Sequence, residues 1–497
     1  MKISIDASIS DLEDHQIIDI LDGNCNISIS DNSWAAIDSS FQYLQHKISS
    51  TDTIMYGINT GFGSLRNVGI NDEDIEDLQV NLIRSHACGA GAKVPISIAR
   101  LILFLKVRSL SYGYSGVSKE LVQRLINMFN DDVIPVMYEQ GSLGASGDLA
   151  PLAHLSLPLI GEGAVYSNDS IMDSAEYLRH NNLKPYVLKA KEGLALINGT
   201  QFSLAYLQAS YVRTRQLLRA ANVTAAMSIE GFNCRLEPFH EAIHSVRPGN
   251  GQPEIATFIR ELLHDSAHMS EPKVDVQDPY SFRCIPQVHG ATMNALNHIG
   301  QVIANERNSV TDNPNIFVEE DMVISGGNFH AQPLAFASDY LCLAAAELGS
   351  ISERRLYLLI SGLRGLEPFL TTKPGLQSGF MIAQYTAASI VSMNKQLASP
   401  SSVDSIISSN GQEDHVSMAA NAGVKVWQIV NNVATVLAIE WQAAAQAVEM
   451  KDYPISSKLR AYLKAYRKHV SFLDQDRPLQ PDFEKTKAFF NEINWFA

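Results

Sequence analysis

The chain has 497 residues, is 46% hydrophobic and 18% charged, and carries a net charge of −15. That length supports a large buried core, and the acidic balance without any block of Lys and Arg excludes a nucleic-acid surface. The cysteines, Cys25, Cys88, Cys234, Cys284 and Cys342, are odd in number and scattered, with no CxxC pair, which fits a reducing cytoplasm and no structural zinc.

Residues 2–5 and 26–29 read as short strands, and 31–48 as a helix capped by Asp31 or Ser33. The first residues are acidic and lack a basic-then-apolar signal layout. Residues 56–63, YGINTGFG, form a glycine-rich loop. Tyr56 on such a loop either packs on the rim or reaches into a cavity. Helical periodicity over 72–85 ends at His86, where the negative pole of a helix favours a cation or a donor. Residues 95–130 read as two amphipathic helices. Apolar runs such as ISIARLILFLK are broken by charge, so none reaches the roughly 18 uncharged residues of a membrane span.

Residues 141–163, GSLGASGDLAPLAHLSLPLIGEG, stand apart. Gly141, Gly144 and Gly147 recur every three residues, so the backbone can turn tightly there. One reading is a capped helix, with Ser146 or Asp148 at the N-cap and Pro151 in the first turn. The other is chemical. If the chain bends back far enough, the Gly147 amide nitrogen attacks the Ala145 carbonyl carbon, and loss of two waters, one taking the Ser146 hydroxyl, leaves a methylidene-imidazolone (MIO) ring.

Beyond 163, residues 164–190 read as surface strands and turns. Asn198 then stands at the start of a long helix, with an N-cap as one role. Long helical runs follow at about 200–230, 285–308, 328–362, 373–396 and 417–451, several too long for a compact small domain. Loops interrupt them. Residues 276–289, VQDPYSFRCIPQVH, present Arg283 in a turn-like stretch, from which a guanidinium can hold a carboxylate in bidentate fashion. Residues 409–418, SNGQEDHVSM, place Gln412, Glu413 and Asp414 ahead of a helix, a common place for acidic groups. No nucleotide-binding glycine fingerprint is present. His264 and His268 have i, i+4 spacing but no third ligand, so no metal site is expected.

The 141–163 stretch resembles the MIO-forming signature of the aromatic amino acid ammonia-lyases, and the resemblance extends over about residues 54–450. The matching segments are YGINTGFG, SH at 85–86, INGTQ, QDPYSFRCIPQ, TDNP, GGNFH and QEDHVSM. The resemblance implies an MIO built from Ala145, Ser146 and Gly147, with Asp148 and Phe329 supporting it. It implies Tyr56 as catalytic base, Arg283 on the substrate carboxylate with Gln277 and Tyr280 assisting, and Asn198 hydrogen-bonding near the ring and the substrate. His86, Gln412 and Glu413 fall at positions that face the substrate side chain. A carboxylate at Glu413 pairs with an imidazole N–H, which points to the histidine-using branch. One departure is Gly411, where the pattern has asparagine, with Asn410 one place earlier.

The expected fold is mainly α, a long-helix bundle of the fumarase and aspartase type with a smaller mixed N-terminal region carrying the turn. Expected regions are 1–200, with the tyrosine loop and the turn, and 201–497, the helical and oligomerisation region. The expected activity is conversion of L-histidine to trans-urocanate and ammonia by a cytoplasmic homotetramer with shared active sites, without metal, nucleotide, nucleic-acid or membrane partners. The rival reading is the same chemistry on tyrosine or phenylalanine, as a lyase or an aminomutase.

Overall fold

The computed structural model describes residues 3–9, 11–50, 55, 57–58, 60, 74–167, 170–267, 273, 275–451 and 453–493. The fold is mainly helical, with short strands near the N-terminal side. It divides into two compact units. Unit 1 is Met1–Val212, Gln301–Asp339 and Pro400–Val424; unit 2 is Arg213–Gly300, Tyr340–Ser399 and Lys425–Ala497. The units interleave along the chain.

In unit 1 the strands Ile3–Asp6 and Cys25–Ser28 pair in parallel, followed by the helix Asp31–Ser50. The helix Ile96–Ser111 corrects an expectation. It is not amphipathic: 14 of its 16 residues are buried. A helix enclosed on all sides must pair whatever charge it carries. Arg100 does so with Asp132 at 2.8 Å, and Arg108 Nη1 donates to Ala7 O at 2.8 Å. Lys106 bonds to backbone carbonyls. The next helix, Lys119–Asn130, is amphipathic, with the Ser118 hydroxyl accepting from Leu121 N.

Strands Ile134–Pro135, Ala164–Ser167 and Ser170–Asp173 form a three-stranded antiparallel sheet in that order. The helix Ser174–His180 follows, N-capped by the Asp173 carboxylate, in a stretch expected to hold only strands and turns. Seven residues are too few for a hydrophobic period to register. Strand Tyr138–Gln140 pairs with Ala90–Lys93 and delivers the chain to Gly141.

Unit 2 is helical. It takes in Gln252–Leu263, Met381–Leu397, Ser457–Tyr466 and Gln480–Glu492, with parts of Gln201–Gly231, Ile285–Arg307, Gln332–Leu359 and Ala419–Glu449. The long periodic runs of the sequence match these helices to within a few residues, apart from 373–396, where the helix begins at Met381. One carboxylate clasps three of them. Glu440 accepts from Arg355 Nε at 2.6 Å, Arg355 Nη2 at 2.9 Å, Ser228 Oγ at 2.7 Å and Ser352 Oγ at 2.6 Å. Arg355 and Glu440 are both wholly buried. Beside them Trp441 packs edge-on against Tyr466, with ring centroids 5.7 Å apart.

Among the described residues two helices, Gln332–Leu359 and Ala419–Glu449, are long and apolar enough to cross a membrane, but 61% of the most apolar window of each is buried within the fold. All five cysteines are free thiols.

Candidate active site

The turn at 144–148 is built on glycine conformations. Gly144 has φ +63° and Gly147 φ +77°, a region that side chains rarely enter. A Cβ on Gly147 would also collide with the Gly199 backbone, which lies alongside in a parallel bridge. Asp148 N donates to Gly199 O at 2.7 Å and fixes this approach.

Asp148 holds the N-cap position of the helix Leu149–Ser156, yet its side chain makes no cap bond. The carboxylate turns inward, accepting from Ser142 Oγ at 2.9 Å, Ser203 Oγ at 2.9 Å and Ser203 N at 2.8 Å. Full burial pushes its pKa up, while these hydrogen bonds and the nearby Lys106 oppose the rise. The turn is therefore braced from within by a carboxylate, and Ser146 caps nothing.

Ser146 is held at two atoms. Its carbonyl oxygen accepts from Asn198 Nδ2 at 2.6 Å, and its hydroxyl donates to Glu413 Oε1 at 2.6 Å. Asn198 does not begin the long helix. It closes the short helix Glu192–Ile197 in extended conformation, which frees the side chain to reach Ser146. Glu413 is held in turn by Ser408, whose hydroxyl donates to Oε2 at 2.7 Å and whose backbone exchanges hydrogen bonds with it.

The acidic segment also departs from expectation. Gln412, Glu413 and Asp414 do not occupy a helix N-terminus, because the helix starts at Ala419. Residues 412–418 run as non-helical chain beside the turn. Met418 N donates to Leu143 O at 2.9 Å, and Ser417 Oγ to Gly144 O at 2.9 Å. Ala145 packs with Val416 and Met418. Gln412 is exposed. Asn410 and Gly411 are both left-handed, at φ +51° and +84°. Asparagine and glycine are the residues that tolerate this region, so the exchange at 411 keeps the backbone requirement.

His86 ends the helix Ile75–His86, with Nδ1 2.8 Å from Leu82 O. A proton on Nδ1 makes that bond and leaves Nε2 as the free acceptor. Phe329 is half-buried, and the following His330 stacks on His415, with centroids 5.5 Å apart. Tyr56 lies outside the described residues, as does His268 of the histidine pair.

Gln277, Tyr280 and Arg283 belong to unit 2. Arg283 ends a one-turn helix, Tyr280–Arg283, rather than sitting in an open turn. Its guanidinium lies 4.5 Å from the centre of the exposed Tyr280 ring. With its amide oxygen facing Arg283, Gln277 accepts from both terminal nitrogens, at 3.1 and 3.3 Å. Asp278 anchors the segment, accepting from Arg364 Nη1 and from Arg235 N, each at 2.7 Å.

Sequence reasoning missed Ser142, Ser203, Ser408 and Lys106. Only Lys106 left a visible signal, a charge inside an otherwise apolar helical run. Among the described residues no group of three or more potential metal ligands comes together.

Comparison with known proteins gives this geometry its setting. The family model for aromatic amino acid lyases matches residues 12–468. A histidine ammonia-lyase of Photorhabdus laumondii is 44% identical over 466 residues, 92% of this chain and 90% of that protein. The crystal structure of a histidine ammonia-lyase from Trypanosoma cruzi superposes with a TM-score of 0.90 at 37% identity, covering 99% of this chain and 93% of the other. That of a tyrosine aminomutase from Streptomyces globisporus gives 0.92 at 31% identity, covering 99% and 97%. With a family match over nearly the whole chain and relatives of this closeness, the chain belongs to the aromatic amino acid lyase family.

Proposed function

We propose that the chain is an MIO-dependent ammonia-lyase that converts L-histidine to trans-urocanate and ammonia. The observation that carries this reading is Ser146, bound through its carbonyl by Asn198 and through its hydroxyl by Glu413, inside a turn that only glycine at 147 permits.

The residues present fit the MIO. Gly147 offers an unobstructed nitrogen, Ser146 a β-hydroxyl to lose, and the Gly199 contact fixes the backbone at Gly147 and Asp148. When formed, the group supplies the electrophile that takes up the substrate amine and turns it into a leaving group.

The remaining work falls to side chains. Arg283 binds the substrate carboxylate, with Gln277 and Tyr280 setting its fork. Glu413 accepts from the imidazole N–H, and His86 and Gln412 complete the side-chain pocket. Tyr56 removes the β-proton as phenolate, which requires its pKa to fall from an unperturbed value near 10. Asn198, Asp148 and Phe329 keep the ring-forming turn in place. Loss of Ser146 Oγ on ring formation frees Glu413 Oε1 for the imidazole N–H, a donor that a phenyl ring lacks. The assembly we propose is a cytoplasmic homotetramer with active sites shared between subunits.

The competing reading is tyrosine or phenylalanine as substrate, in a lyase or an aminomutase, for which the likeness to the tyrosine aminomutase structure speaks. A spectrophotometric assay with histidine, tyrosine and phenylalanine decides. Urocanate formation faster than either arylacrylate supports the proposal, and faster turnover of tyrosine overturns the substrate assignment.

A further inference from the structure

A buried amine stands behind the Asn198 that holds Ser146. Lys106, on the enclosed helix Ile96–Ser111, is 1% exposed. Its Nζ donates to Asn198 O at 2.8 Å and to Ala195 O at 3.1 Å. These carbonyls lie at the end of the helix Glu192–Ile197, where no following turn offers N–H partners. The Asn198 side chain has little else to orient it, since its Oδ1 is buried without a hydrogen-bond partner among the described residues. The next residue, Gly199, has φ +120° and adds no side chain to stiffen the link.

We propose that Lys106 is a positioning residue for the Ser146 carbonyl, acting through Asn198. The lysine fixes the Asn198 backbone, and the Asn198 amide fixes the oxygen of Ser146. This rests on the reading of Ser146 as the MIO precursor. There, the Ser146 oxygen is conjugated with the electrophilic carbon, and a fixed donor on that oxygen strengthens the electron sink. The same donor holds the turn in register while the Gly147 nitrogen approaches Ala145. Burial lowers the Lys106 pKa to about 7, against the pull of Asp312 and Asp148. An amine keeps at least two N–H donors in either charge state, so both carbonyls are served on each side of that pH.

The test compares the parent protein with Lys106→Met, Asn198→Ala and the double variant, reading intact mass together with kcat and KM for histidine. The parent should be lighter than its sequence mass by two waters. Lys106→Met should reach that deficit slowly or incompletely. Corrected for mature fraction, its kcat should fall by about 10- to 100-fold, with KM changed by less than about threefold, as for a misplaced group that does not touch substrate. The double variant should be no slower than Asn198→Ala alone, because both act through one contact. A Lys106→Met protein with full deficit and parental kcat overturns the inference, as does a double variant in which the two losses multiply. If Lys106→Met does not fold, Lys106→Gln, which keeps an N–H donor one bond short, is read in the same way. It should show a smaller kcat loss at constant KM, and parental values would overturn the inference. A parent without the deficit overturns the MIO reading itself, a result distinct from variants that merely match a matured parent.

Discussion

The Ser146 hydroxyl donates a 2.6 Å hydrogen bond to Glu413 Oε1, although 267 residues of chain separate the two. A side chain expected to serve ring formation and one expected to read the substrate are thus neighbours within one unit.

Replacing either partner should separate the two roles. Ser146→Ala should abolish both the two-water mass deficit and turnover. Glu413→Gln should keep the deficit and lower kcat/KM for histidine by about 10- to 100-fold, the worth of one hydrogen bond to a charged acceptor. Intact-mass spectrometry and the urocanate assay check both. A Ser146→Ala enzyme with parental turnover would sink the mechanism.

Two glycines with similar φ should respond differently to alanine. Gly147→Ala meets the Gly199 backbone as well as the left-handed strain, so the turn must open. We expect no mass deficit and a loss of more than about 2 kcal/mol in denaturant unfolding. At Gly411 a Cβ meets nothing within 4 Å. Gly411→Ala should cost only about 1 kcal/mol, and Gly411→Asn less. Equal losses at 147 and 411 would contradict this account of the turn.

Glu440 is the only carboxylate on the wholly buried Arg355 among the described contacts. Glu440→Ala leaves a guanidinium without a counter-charge in the helical core and should destabilise by about 3–5 kcal/mol. Arg355 Nη1 also reaches Ser281 O at 3.5 Å, between Tyr280 and Arg283. A raised KM for histidine should therefore accompany the lower unfolding midpoint. Denaturant titration and steady-state kinetics check the two effects independently.

His289 sets a pH dependence of stability. It is fully buried, with Nδ1 2.6 Å from Asn222 Oδ1. Burial, and then the charge of Arg355, hold its pKa well below the ordinary value of 6.5. The folded protein therefore leaves this imidazole neutral where the unfolded chain binds a proton. Stability must fall as pH drops below about 6.5, by up to about 1.4 kcal/mol per pH unit from this group. Unfolding measured from pH 7.5 to 5 should show that slope in the parent and a flatter one in His289→Gln.

Much of this architecture was legible in the residues. The long helices announce themselves through sustained 3.6-residue periods, and the 144–147 turn through glycines that side chains could not replace. What stayed hidden was non-local. Nothing near Glu413 in sequence tells that Ser408 orients it or that Ser146 meets it. Asp148 looks like a cap, and only the fold shows its carboxylate turned toward Ser142 and Ser203. The helix Ile96–Ser111 looks amphipathic because its charges are visible while their partners, Asp132 and the buried carbonyls of Ala7, Ala195 and Asn198, lie elsewhere in the chain.

Met418 and Ser417 reach back to the carbonyls of Leu143 and Gly144. A nascent polypeptide that has cleared the ribosome only through residue 400 already holds Ala145, Ser146 and Gly147, yet lacks the two residues that hydrogen-bond to their turn. Under the proposed chemistry, ring closure would wait until Ser417 and Met418 have emerged, and products truncated before them would carry no stray electrophile.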